Sequence, residues 1–249
     1  MSAATGKSAL VLGATGATGK HLLRDVLASP EFTRVGEYGR RVTSSEAIAG
    51  LAGREKLEQR TMDYEKLGES GLKGGRWDVV YVAMGTTRAK AGSAEAFTKI
   101  DREYVVNAAK EAKTDDPTNE QRLVYLSSTG ANASSPFLYP KSKGLTELEL
   151  AGLGYKETIV FRPAFLKGAE RPDHRIAESI FGCITGILST VSSSMEIPIQ
   201  LCAKSICNAG RLGVAGLPAS AQAEKAGKEG AWFTLINNAG AINLGKADV

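Results

Sequence analysis

Six short runs of apolar and β-branched residues are spaced through the first 161 positions. Between them apolar residues recur three and four apart, the alternation of strand and helix periods that builds a parallel sheet. The first strand is predicted at 8–13, followed by a helix over 17–28 with Leu22, Leu23, Val26 and Leu27 on one face. A second strand ends near Tyr38-Gly39, and a weaker third runs from Leu57 to Met62 with Asp63 at its end. The fourth, Asp78 to Ala83, is the near-continuous apolar run of a strand buried on both faces. A helix over 94–112 leads to a fifth strand at 122–128, and a helix from Pro140 to Leu150 leads to a sixth at 157–161.

Beyond Arg162-Pro163 the pattern loosens. Residues 174–191 carry apolar positions at near-helical spacing, which reads as a helix packing on the sheet or lining a cleft. A further helix at 196–209 and an apolar segment at 232–236 complete the fold, while 41–58 and 218–230 read as solvated loops or short surface helices. No internal repeat is present. The expected fold class is therefore α/β, a Rossmann-like doubly wound parallel sheet in a single domain over 1–249, with 165–249 as a small C-terminal substrate or cap region.

Composition narrows this picture. The 249 residues suffice for one substantial core, and no linker divides them. Lys and Arg number 31 against 27 Asp and Glu; this interleaved net charge of +4 suits an anionic cofactor and argues against a nucleic-acid surface. Cys183, Cys202 and Cys207 are unpatterned, which predicts buried thiols in a reducing compartment, and His21 and His174 add no metal-ligand spacing. The first strand starts too early for a preceding targeting segment, and the apolar stretch 180–191 is too short to span a bilayer. Secretion and membrane insertion are not expected; peripheral membrane association stays open.

Two groups of residues point to chemistry. Gly13, Thr15, Gly16, Ala17, Thr18 and Gly19 lie on the first strand-to-helix turn, where such spacing lets a dinucleotide pyrophosphate meet a helix N-terminus. A plain glycine-rich loop is the competing reading. After the second strand, Arg40 and Arg41 stand where an acid would favour NAD, and suit a 2′-phosphate unless they form only a solvated turn. Asp63 is placed to meet an adenine edge or to sit in an exposed loop.

The second group is Tyr139 and Lys143, four apart on one helix face, so that an ammonium can act on a phenol and on a ribose hydroxyl. Such a phenol can move the proton that accompanies hydride transfer, and Ser128 would hydrogen-bond the same substrate oxygen. Ser127 and Thr129 are alternatives to Ser128. Pro140 is expected to push Tyr139 toward a non-helical backbone. The run Asn237-Asn238-Ala239-Gly240 reads as a chance match to a cofactor motif.

Together the glycine loop, the strand-five serines and Tyr139 with Lys143 resemble the short-chain dehydrogenase/reductase superfamily. Further stretches are Gly85 to Gly92, Asp101 to Val105, Ser127 to Ala131 and Phe161-Arg162-Pro163. These are similar to the atypical branch that contains a human Tat-interacting oxidoreductase and fungal mitochondrial outer-membrane proteins. The resemblance implies an NADP-dependent oxidoreductase acting on a carbonyl or alcohol, with Ser128, Tyr139 and Lys143 catalytic. It implies Gly85 and Thr86 beneath the cofactor, and Pro163, Ala164 and Phe165 facing the nicotinamide. It also implies a location on the cytosolic face of the mitochondrial outer membrane, with a cytoplasmic one as alternative. The rival function is an NADPH-binding regulator or scaffold with little turnover; epimerase chemistry is disfavoured by the small region after strand six. Substrate is expected to meet the loops 86–98, 130–138 and 166–195, with Phe137, Phe165 and Phe181 as candidate pocket walls or ordinary core. A monomer and a homodimer are both open.

Overall fold

The computed structural model describes residues 6–168 and 196–249. Strands β1 (Lys7–Leu12), β2 (Phe32–Gly39), β3 (Leu57–Thr61), β4 (Val79–Val82), β5 (Arg122–Leu126) and β6 (Glu157–Arg162) pair in parallel in the order 3-2-1-4-5-6. Two more strands extend the far edge. Residues Phe165–Lys167 and Glu196–Pro198, here β7 and β8, form a separate parallel pair, so the edge strands are β9 (Glu224–Lys228) and β10 (Ala231–Asn237). β10 joins β6 in parallel and β9 closes the eight-stranded sheet as its antiparallel member.

Helices cover both faces. On one lie α1 (Gly19–Ala28), α7 (Ile199–Gly216) and α8 (Asn238–Lys246), whose Leu22, Val26, Cys202, Ile206 and Leu244 share a core with Val11, Tyr81, Val124 and Ile236. On the other lie α5 (Tyr104–Ala112) and α6 (Leu138–Ala151), with Val105, Ala108 and Leu150 packed on Leu10, Val80 and Tyr125. Residues in β1 and β4 therefore face two apolar layers. That explains the unbroken apolar run at 79–82, fully buried along its length.

The order reverses between β1 and β4, so the loops after these strands open a crevice at the carboxyl ends of the sheet. The glycine loop, Arg40 and Arg41, Asp63, Gly85 and Thr86, and Ser127 and Ser128 follow the carboxyl ends of β1, β2, β3, β4 and β5 in turn. Of the C-terminal region, residues 196–249 complete the sheet and one helical layer.

Several elements differ from expectation. The helix predicted over 94–112 is divided into α4 (Ala94–Thr98), a π-helical turn at Lys99–Glu103 and α5, preceded by a short α3 (Arg88–Ala91). Gly92, at φ 92°, ends α3, and the Ser93 hydroxyl caps α4 by accepting from the Ala96 amide at 3.0 Å. The fifth strand stops at Leu126, two residues short of 128, although the Ser127 amide still donates to the Phe161 carbonyl. Segment 218–230, read as solvated, contains β9. This edge strand has one neighbour and exposes its charged side chains, so it shows no apolar alternation. α7 begins three residues later than predicted because Glu196–Pro198 is extended, and it runs on to Gly216 across a break at Gly213. The predicted helix at 174–191 lies outside the described residues. Within 41–58 the short helix α2 (Ser45–Ile48) lies on the surface. Among the described residues no helix is long and apolar enough to cross a membrane.

Candidate active site

The glycine loop is shaped by contacts that leave no space for side chains. Gly13 has φ 91°, and a Cβ there would lie 2.8 Å from the Ala83 carbonyl carbon at the end of β4. A Cβ on Gly19 would fall 2.0 Å from the Gly13 carbonyl oxygen, so the first turn of α1 rests directly on the loop. The Gly16 amide donates to that same carbonyl at 3.0 Å. Thr15 and Ala17 are exposed and Thr18 is buried. α1 has no side-chain cap and no acid in its first turn, so no acidic side chain there offsets the positive end of the helix. This cradle fits a dinucleotide pyrophosphate.

Arg40 and Arg41 are exposed immediately after β2. Asp63, after β3, is also exposed. Its Oδ1 accepts from the Glu65 amide at 2.9 Å and so closes a local turn.

At the other end of the crevice, α6 carries Tyr139 and Lys143 one turn apart. The expectation that Pro140 forces Tyr139 off the helix is overturned. Pro140 is the third helical residue, where its missing amide hydrogen has no intrahelical acceptor to lose, and the extended backbone falls instead on Phe137 (φ −90°, ψ 136°). Tyr139 is helical and half-buried, with its ring 6.1 Å from that of Phe97.

Lys143 is buried in a polar niche. Its Nζ lies 3.2 Å from Asp101 Oδ1 and donates to the Tyr125 hydroxyl at 3.1 Å, with the Tyr139 ring centroid 5.9 Å away. Asp101 comes from the π-helical turn and also accepts from the Thr86 amide at 3.1 Å. A Cβ on Gly85 would lie 3.1 Å from Asp101 Oδ1 and 3.5 Å from Lys143 Nζ, so the turn after β4 abuts this pair. Burial alone would lower the pKa of Lys143. The Asp101 carboxylate and the Tyr125 and Tyr139 phenols outweigh it and hold the ammonium well above its ordinary value. Burial raises Tyr125 and keeps its hydroxyl protonated.

The three hydroxyls after β5 have different environments. Ser127 is buried and its Oγ donates to Glu147 Oε1 at 2.5 Å, in a cluster where Arg162 also donates to Glu147. Ser128 is half-buried, with its Oγ donating to the Thr129 carbonyl at 3.2 Å. Thr129 is exposed and its amide holds the Pro163 carbonyl at 2.9 Å. Asn238, within the run set aside as a chance match, accepts from the Ala164 amide at 2.9 Å and so fixes the turn after β6. Phe137 and Phe165 are exposed at 50% and 38%, which removes both from the core; Phe181 lies outside the described residues.

Sequence reading missed Asp101, Tyr125, Glu147, Arg162 and Asn238 as members of this constellation. Asp101 and Arg162 stood in stretches noted only for resemblance. A signal for Tyr125 was available in the alternation along β5, which puts it on the same face as Leu123 and toward the layer that holds α6.

Residues 9–149 match the NAD dependent epimerase/dehydratase family, and the chain belongs to it. This is a family of nicotinamide-nucleotide enzymes. Among its relatives the chain is similar to Protein HTATIP2 of Rattus norvegicus, 34% identical over 81% of this chain and 80% of that protein. It is also similar to the mitochondrial Protein FMP52 of Candida albicans, 37% identical over 70% of this chain and 73% of that protein. In fold it resembles a 3-oxoacyl-[acyl-carrier protein] reductase from Brucella melitensis, at TM-score 0.58 and 16% identity over 98% of this chain and 100% of that one. A short chain dehydrogenase/reductase from Saccharomyces cerevisiae gives TM-score 0.59 and 15% identity over 86% and 92% of the two chains. The sheet with its flanking helices is thus the Rossmann-like arrangement of short-chain reductases.

Proposed function

We propose that this protein is an NADPH-dependent oxidoreductase that interconverts a small-molecule carbonyl and its alcohol, with Ser128, Tyr139 and Lys143 as catalytic residues. The observation that carries the reading is a buried, charged lysine one helical turn from a half-buried tyrosine, in a sheet whose first strand-to-helix turn is a glycine cradle suited to a pyrophosphate. When bound, the nicotinamide nucleotide supplies the hydride.

The chain's own residues do the rest. The Tyr139 phenol donates its proton to the substrate oxygen as charge develops there, and the Ser128 hydroxyl donates a hydrogen bond to the same atom. Lys143, held by Asp101 and Tyr125, presents positive charge to Tyr139 and to a ribose hydroxyl. Gly13, Thr15, Gly16, Ala17, Thr18 and Gly19 bind the pyrophosphate, and Gly85 and Thr86 lie beneath the nucleotide. Pro163, Ala164 and Phe165 line its nicotinamide side. Arg40 and Arg41 bind the 2′-phosphate and Asp63 meets the adenine. Residues 1–249 act as one domain. The mitochondrial names of the fungal relatives support a mitochondrial place over a cytoplasmic one, and a peripheral position on the cytosolic face of the outer membrane is the form of it proposed.

A second reading, a nucleotide-binding regulator with little turnover, draws on one feature. Asp101 engages the ammonium directly and offsets part of the charge on which Tyr139 depends. Fluorescence titration with NADPH and NADH, together with a carbonyl-substrate screen, separates the two. Tight NADPH binding with turnover that Tyr139→Phe abolishes supports the oxidoreductase. Binding without turnover on any carbonyl supports the regulator, and binding of neither nucleotide overturns both.

A further inference from the structure

Strand β2 carries an acid, Glu37, two residues before its end and just ahead of the turn that displays Arg40 and Arg41. Its residue is 1% exposed. A carboxylate buried to this degree is stable only with its oxygens satisfied. Oε1 accepts from the Thr43 amide at 2.8 Å and from the Thr43 hydroxyl at 2.7 Å. Oε2 accepts from Gln59 Nε2 at 2.7 Å, and that same nitrogen donates to the Thr43 carbonyl at 2.8 Å. These bonds join β2, β3 and the returning chain into a ring that encloses residues 40–42.

Position 39 completes the arrangement. It ends β2 about 20 residues beyond the glycine loop, where an acidic side chain takes the ribose hydroxyls in NAD sites. Here it is glycine, and a Cβ would lie 3.2 Å from the Arg41 carbonyl oxygen, a tight contact that a shift of a few tenths of an ångström would relieve. Position 39 thus carries no acid, and the Glu37 carboxylate of the same strand is directed to Thr43 and Gln59. Arg40 and Arg41 remain exposed on the outside of the ring.

We propose that Glu37, with Thr43 and Gln59, is a specificity-determining positioning residue. The ring holds the 40–42 turn so that both guanidiniums meet a 2′-phosphate, and keeps the β2 carboxylate away from the ribose. This inference rests on the NADPH reading above. A residue that merely supports the fold would affect both nucleotides alike, whereas a positioning role acts on NADPH alone.

The test is the dissociation constant of NADPH and of NADH by fluorescence titration, in wild type, Glu37→Ala, Thr43→Val and the exchange variant Glu37→Gln/Gln59→Glu. Amide hydrogen exchange at Thr43 in the cofactor-free protein gives a second readout. Glu37→Ala is expected to weaken NADPH about tenfold and to leave NADH within about twofold. The Thr43 amide should lose protection in that variant. The exchange variant moves the acid to β3 and keeps a donor facing an acceptor between the two strands, but sets a carboxylate against the Thr43 carbonyl that Gln59 Nε2 binds in the wild type, so it should restore the preference and the protection only in part. If Glu37→Ala does not fold, Thr43→Val is expected to show the same selective loss to a smaller degree. Equal weakening of both nucleotides, or an unchanged ratio in every folded variant, overturns the inference while the NADPH reading stands. A wild type with no preference for NADPH overturns the reading and the inference together.

Discussion

Lys143 and Asp101 form an ion pair inside the protein, with Nζ 3.2 Å from Oδ1 and side chains 5% and 0% exposed. Burial works against the ammonium, and Asp101 is the foremost of the groups that hold its pKa above the ordinary value. A lysine raised in this way contributes stability that is complete below its unfolded pKa, near ~10.4, and is lost as pH rises through the folded value. Asp101→Asn removes the main raising influence and leaves burial, so the folded pKa drops below the unfolded one and the sign reverses. The variant is expected to lose about 3 kcal/mol at pH 7. Its deficit against wild type should narrow as pH rises from 7 toward the unfolded pKa, since the buried lysine can then shed its proton. Urea unfolding of both proteins across that range checks it; a deficit independent of pH would show that the pair contributes no charge-dependent stability.

Ser127 and Ser128 are adjacent in sequence and differ in what surrounds them. Ser127 is buried against Glu147, so Ser127→Ala is expected to cost about 1 kcal/mol of stability and to change kcat little. Ser128→Ala should leave the melting temperature unchanged and lower kcat about a hundredfold on a carbonyl the protein reduces. The reverse assignment of losses, read from thermal melts and steady-state rates, would move the substrate oxygen to the Ser127 side.

Strands β1 and β4 were legible because each is buried on both faces, and Tyr139 with Lys143 because a four-residue spacing places them on one helix face whatever the rest of the chain does. What escaped was information carried by partners distant in sequence. β9 owes its strand to β10, and Asp101 owes its role to a π-helical turn that brings it to Lys143, 42 positions later. Pro140 misled because its local bias depends on where in the helix it falls. The cysteines illustrate the easier case, since a spacing that suits neither disulfides nor a metal left burial as the reading for Cys202 and Cys207, and both are buried.

Those two thiols are pushed up to about 12 by burial. At pH 8 the thiolate fraction is then negligible, and iodoacetamide should label neither Cys202 nor Cys207 in the native protein while labelling both in urea. Peptide mass spectrometry after labelling decides; native modification of either would mean that α7 opens readily from the sheet.

Asn238 links the start of α8 to the turn after β6 through the Ala164 amide. Asn238→Ala leaves that amide without its partner and is expected to cost about 1 kcal/mol. Because Ala164 lies on the nicotinamide side of the proposed site, NADPH affinity should fall as well, while Asn237→Ala, which removes only an exposed bond to Glu224, should leave it unchanged. Parallel titrations of the two variants test the distinction.

The glycine loop supports a ranking that separates space from charge. A methyl at Gly19 would meet the Gly13 carbonyl oxygen at 2.0 Å, whereas one at Gly16 would meet the same atom at 3.1 Å. Both residues have ordinary negative φ, so the difference is one of contact and not of backbone freedom. The Gly13 carbonyl cannot retreat far, since its own Cα already approaches the end of β4 closely enough to exclude a side chain. Gly19→Ala should therefore lift α1 off the loop, with a loss of about 3 kcal/mol from overpacking and NADPH binding abolished. Gly16→Ala asks for a shift of only a few tenths of an ångström, so stability should fall by less than about 1 kcal/mol. NADPH binding should still weaken in Gly16→Ala, because its methyl would stand near the amides meant for the pyrophosphate. Equal losses of stability in the two variants, measured by urea unfolding, would mean that the first turn of α1 is not seated on Gly13.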